Sequence, residues 1–80
     1  MKTTYKYIYF KELDVKTKTK QFLCRNNTSR DVLGVVKWYA PWRQYCFHVD
    51  FPYRVFSADC LADIQDFINS LMAERKEKVK

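Results

Sequence analysis

The sequence predicts a small α+β fold: an antiparallel sheet in the order β-β-β-β-α, with one C-terminal amphipathic helix packed on one face. Three observations carry this reading. Of the fourteen aromatic residues, thirteen precede Ser57 and only Phe67 follows it. Residues 1–56 hold alternating runs rich in β-branched and aromatic side chains, whereas beyond Ser57 the apolar residues recur every three or four. The charge changes at the same point: residues 1–56 carry eleven basic and four acidic residues, and residues 57–80 carry four and five.

The first strand is predicted over residues 5–10, Tyr-Lys-Tyr-Ile-Tyr-Phe, whose alternation puts Tyr5, Tyr7 and Tyr9 on one face and Ile8 and Phe10 on the other. Residues 13–19 are less apolar and read as a turn into a second strand over 19–25, around Phe22, Leu23 and Cys24. Residues 26–31 are a loop, because Asn, Ser and Asp bond their own backbone and tolerate turn geometry. Strands over 33–39 and 44–49 flank Ala40-Pro41-Trp42-Arg43 and form a hairpin. A two-residue turn at Pro41-Trp42 pairs Trp38 with Tyr45 and Val36 with Phe47 on one face, and Lys37 with Cys46 and Val35 with His48 on the other. A further turn over 51–54 leads to a short edge segment, Val55-Phe56. Ser57 is the expected N-cap of the helix, with Asp59 complementing the dipole in its first turn. Leu61, Ile64, Phe67, Ile68, Leu71 and Met72 form its apolar stripe, opposite Asp59, Asp63, Asp66 and Glu74. The chain is thus one domain, residues 1–80, with a sheet region over 3–56, a helix over 58–75 and a charged tail over 76–80.

Eighty residues support one marginal core, since folding at this size buries only about 60% of the unfolded surface. A composition 48% apolar and 18% aromatic, with one Gly and two Pro, is not that of a disordered chain. No apolar run approaches the ~20 residues of a membrane span, and residues 1–6 lack a signal-peptide pattern, so no membrane association is expected. Three cysteines, Cys24, Cys46 and Cys60, are an odd number and read as reduced thiols in a cytoplasmic protein.

One helix covers only one face of such a sheet, so several large rings are left over whichever face it takes. An exposed aromatic face of this kind marks a binding site or a subunit interface. The sheet region is also the basic part of a chain whose formal charge is +6. Rings interleaved with cations are what single-stranded nucleic acid binders use: bases stack on the rings and phosphates meet the cations. Trp38, Tyr39, Trp42 and Tyr45 are the candidate stacking residues, and Lys37 and Arg43 the candidate phosphate contacts. The bland alternative is that the tyrosines are ordinary amphipathic sheet residues and the lysines protect edge strands from aggregation. Trp42, likewise, either marks an interface or folds back to cap the sheet.

Other constellations are weaker. Cys46 and His48 share a strand face and, with Cys24 and Cys60, make four potential zinc ligands, but they are scattered singly with no Cys-x-x-Cys pair, so no metal is expected. A Cys46–His48 nucleophile lacks a third group to orient the base, so no catalytic residue and no cofactor is expected either. Asp59, Asp63 and Asp66 read as a solvated helix face.

The run Leu33-Gly34-Val35-Val36-Lys37-Trp38-Tyr39-Ala40-Pro41-Trp42-Arg43-Gln44-Tyr45-Cys46-Phe47, followed by Val55-Phe56 and by residues 60–68, resembles a family of small proteins of bacteriophages and mobile elements of low-GC and gut bacteria. That family carries no assigned activity, so the resemblance implies a cytoplasmic setting and transfers no functional residue. The β-β-β-β-α order is also similar to the single-strand-binding domains of the Whirly and coactivator type, which are dimers with basic, aromatic sheet faces; this is analogy of topology alone. The expectation is a small, non-enzymatic, homodimeric protein that binds nucleic acid, single strands in preference. The alternative is a phage accessory protein that binds a host or defence protein through the Pro41-Trp42-Arg43 hairpin.

Overall fold

Alternating apolar side chains and short turns produce four strands: β1, Ile8–Glu12; β2, Phe22–Asn26; β3, Val32–Tyr39; and β4, Gln44–Val49. The computed structural model describes residues 1–52 and 54–78, with side chains as far as Arg75. The strands form one antiparallel sheet in the order β1-β2-β3-β4, and a single helix, α1, Ala58–Lys78, follows. The helix covers the face that carries Ile8, Phe10, Phe22, Cys24, Val36 and Tyr45, all buried. These are the positions on alternate residues that hold no cation, so burying them strands no charge.

Phe67 is the centre of that core. Its ring lies flat against Phe10, with centroids 3.9 Å apart, and edge-on to Phe22 at 4.9 Å. With Phe67 as pivot, the buried helix stripe runs Ile64, Phe67 and Leu71, flanked by Cys60, Ile68 and Met72. Leu61, expected in the stripe, instead points outward at 53% exposure. Cys60 takes its place because it lies one turn before Ile64 on the sheet-facing side. Two of the acidic residues expected on the opposite side, Asp66 and Glu74, instead reach the sheet side. Asp66 accepts the Tyr5 hydroxyl at 2.8 Å, and Glu74 pairs with Lys20 at 2.9 Å. Ser57 is the helix cap as predicted, its Oγ accepting the Cys60 N–H at 3.2 Å. The helix runs beyond residue 75, where the charged tail was expected to begin, to Lys78.

The N-terminal segment departs from the simple alternation. β1 starts only at Ile8, and a bend at Lys6 and Tyr7 breaks the residue-by-residue count. Tyr5 therefore joins the core instead of sharing a face with Tyr7 and Tyr9, and packs edge-on to Phe10 at 5.8 Å. At the β2–β3 turn, Asn26 Oδ1 accepts the N–H groups of Thr28 and Ser29, as an Asn-led loop should. A bulge beside Cys24 and Arg25 leaves Leu33 with no opposite residue, and it packs on the core. Residues 55 and 56 form no edge strand: Val55 is 92% exposed, while Phe56 packs edge-on to Phe47 at 5.5 Å. Tyr53, part of the expected turn before them, lies outside the described residues.

Burial sets a pH dependence. Burial, the hydrogen bond to Asp66 and the charges of Asp66 and Asp63 raise the Tyr5 hydroxyl above its ordinary value of 10.0. Burial likewise pushes the Cys24 thiol from 9.0 up to about 12. Both groups hold their protons more tightly folded than unfolded. Their contribution is complete below the ordinary values and is lost as the pH climbs through them towards the folded ones. Melting temperature should thus fall above about pH 9. Tyr5→Phe should cost about 1 kcal/mol at neutral pH through the lost hydrogen bond and show a shallower alkaline decline than the parent. Parallel declines would remove Tyr5 as a source of the effect.

Candidate functional site

The face of the sheet opposite α1 is built by the other half of each alternation. Register across the strands places Tyr9 opposite Arg25, Lys11 opposite Leu23, Leu23 opposite Val35, Val35 opposite His48, Lys37 opposite Cys46 and Tyr39 opposite Gln44. Leu23 and Val35 lie at its middle, half-buried by their neighbours. Around them stand Lys11, Arg25 and Lys37, and none of the strand residues on this face is acidic.

The predicted β3–β4 register is the one observed, but the turn is different. Residues 40–43 form a four-residue connection, with a 3-10 turn over Ala40–Trp42 and Arg43 in the left-handed region at φ 54°. Pro41 suits the start of that turn, where its missing N–H costs nothing. The Arg43 N–H donates to the carbonyls of Tyr39, at 2.9 Å, and Ala40, at 3.1 Å. This geometry leaves Trp42 67% exposed rather than folded over the sheet edge. Its ring meets Tyr39 edge-on at 5.1 Å, and Tyr39 meets His48 at 6.0 Å. Three rings thus run in sequence from the hairpin end onto the open face, with Lys37 beside them.

A second ring-and-cation cluster lies at β1, where the Arg30 guanidinium sits 5.8 Å from the Tyr9 ring centre. Arg25 Nη1 donates to the Arg30 carbonyl at 2.8 Å, which holds the left-handed Arg30 (φ 67°) in place. Sequence reading missed Tyr9, Arg25, Arg30, Lys11 and His48 as site residues. The signal was present in part: Tyr9 stands between apolar Ile8 and Phe10, so the core must leave it outside. His48 is held below the ordinary imidazole value, first by burial and then by the positive charge of Lys37, and so is neutral at pH 7. Its Nε2 is buried and has no hydrogen-bond partner among the described residues.

The six predicted site residues divide. Lys37 and Tyr39 lie on the open face, and Trp42 and Arg43 at its end. Trp38 and Tyr45 lie on the helix side. Their rings meet edge-on at 5.4 Å, Arg75 covers Trp38 at 4.1 Å, and the Tyr45 hydroxyl accepts the Lys20 N–H at 3.3 Å. Both belong with Val36 in the core and offer no stacking surface, because the alternation that pairs them also places them under the helix. The sheet also separates the four potential metal ligands: Cys24 and Cys60 lie on the helix side, and Cys46 and His48 on the open side. Cys46 Sγ points to the Gln44 carbonyl at 3.8 Å. No described helix is long and apolar enough to cross a membrane.

No family model matches the chain, and no solved structure matches it. Over 60 residues it is 38% identical to the uncharacterized 9.3 kDa protein of Acholeplasma phage L2, a match covering 75% of this chain and 76% of that one. With the likeness spread over three quarters of both chains, this protein belongs to the family of that small phage protein.

Proposed function

We propose that the open face binds single-stranded nucleic acid, without catalysis, in the cytoplasm of a phage-infected or lysogenic cell. The observation that carries this reading is a sheet face with Tyr9, Tyr39, His48 and Trp42 as rings, Lys11, Arg25 and Lys37 as cations, and no strand carboxylate. Four-stranded antiparallel sheets stack unpaired bases on such rings, while duplexes hide theirs. A strand lying across the sheet from Trp42 and Tyr39 to Tyr9 passes Lys37 and Arg25 on the way.

The test is a salt titration of a short fluorescent oligothymidylate against the parent and single variants. Affinity should fall steeply with salt as phosphates release counterions. Lys37→Gln and Lys11→Gln should each lower the salt slope by about one unit. Trp42→Ala should lose ~1–3 kcal/mol with little change of slope, because stacking is not ionic. Binding no tighter than ~10⁻⁴ M at physiological salt would overturn the reading. In that case the exposed Trp42 and its Tyr39 neighbour favour a protein partner at the hairpin.

A further inference from the structure

The two edges of the sheet are finished differently. The outer edge of β1 is occupied by the chain's own N-terminal arm. Thr4 bridges to Tyr9, and the Phe10 N–H donates outward to the Thr3 carbonyl at 2.8 Å. β1 also carries Lys11 and Glu12, charges of the kind that discourage edge pairing. β4 has neither device. Its six residues, Gln-Tyr-Cys-Phe-His-Val, include no Lys, Arg, Asp, Glu or Pro, and its pairing with β3 has no bulge.

The ladder shows which β4 groups face outward. Asp50 N–H donates to the Leu33 carbonyl, so the even-numbered residues of β4 bond to β3 and the odd-numbered ones turn away. The Tyr45 N–H agrees with this, because it meets Met72 Sδ at 3.4 Å instead of a strand carbonyl. The outward N–H groups of Phe47 and Val49 have no partner among the described residues. Val49 itself is exposed.

We propose that two copies of this chain pair antiparallel along the Phe47-to-Val49 edge of β4, joining their sheets into one. A second copy fits this edge because an antiparallel two-fold contact sets each strand against itself, and a strand without formal charge meets no like charge there. Continuity of the helix-covered face requires directly opposed residues to come from the same face. Tyr45 is already occupied, so Phe47 of one copy exchanges hydrogen bonds with Val49 of the other, and the axis passes by His48. The two open faces then lie on one side of the joined sheet. The proposal does not depend on what those faces bind.

Static light scattering over a concentration series tests it. The parent should approach twice its 9.7 kDa chain mass at high concentration. Val49→Pro removes one outward N–H and none of the bonds to β3, and Val49→Lys places a charge on each facing edge. Both variants should remain folded by circular dichroism and scatter as single chains. A parent that stays at one chain's mass overturns the proposal without recourse to any variant. So does a folded Val49→Pro variant that keeps the doubled mass. Oligonucleotide binding by a single-chain parent would overturn the pairing and leave the nucleic-acid reading intact.

Discussion

Phe67→Ala is expected to destabilise the protein by about 3–5 kcal/mol, the range for removing a fully enclosed aromatic ring. The loss should be near the top of that range. Phe67 is fully buried, is stacked on Phe10 and is met edge-on by Phe22, so its removal opens a cavity between helix, β1 and β2. For a domain whose whole stability is about 5–15 kcal/mol or less at this size, such a loss leaves a large unfolded fraction at room temperature. Urea unfolding followed by circular dichroism measures it. Leu61→Ala is the internal comparison, since that side chain is more than half exposed and should cost under ~1 kcal/mol. Equal losses at the two positions would show that the helix is rolled differently on the sheet.

Gly34→Ala is expected to lower stability by about 2–3 kcal/mol, although Ala restricts the unfolded chain more than Gly and by that route alone would stabilise by ~0.4–1 kcal/mol. The reason is space. A Cβ at Gly34 would lie 2.5 Å from the His48 carbonyl oxygen and 2.6 Å from Phe47 Cζ. The ring can turn aside, but the oxygen belongs to the neighbouring strand, so β3 and β4 must separate where Gly34 faces Val49. Adding Phe47→Leu should therefore restore only part of the loss. Full recovery would mean that the ring alone is the obstacle, and a Gly34→Ala variant as stable as the parent would mean that this end of the hairpin is looser than described. Because the same strand end carries His48 and the β4 edge, the variant should also weaken any function that depends on either.

Much of this architecture was legible residue by residue. The hairpin pairing followed from two alternating runs meeting at Pro41, and the observed partners are those that the alternation demands. The helix start was legible because Ser57 and Asp59 answer a local need, the unpaired amides of a first turn. The turn itself was misread: Pro41 is a poor fit to a two-residue turn, whose first central residue needs a positive φ, and it suits the start of the 3-10 turn instead, while the left-handed Arg43 follows from how the strands close. Tyr5 was misplaced for a related reason. Counting alternation back from Ile8 assumes a straight strand, and the bend at Lys6 and Tyr7 exchanges the faces.

The candidate site followed the same division. Tyr39, Lys37 and Trp42 were identified from composition and charge, and the fold groups them. Trp38 and Tyr45 looked equally suited, because exposed and buried aromatic residues are written with the same letters. Local chemistry, acting over a few residues, determined from sequence alone the four strands, the β3–β4 register, the helix and its cap, and the surplus of rings on a basic sheet. Only the tertiary structure decided which face the helix covers, that Cys60 rather than Leu61 meets the sheet, and that Tyr9, Arg25 and His48 share a surface with Tyr39. Those outcomes depend on the roll of one helix about Phe67 and on contacts between residues far apart in the chain, which no local pattern encodes.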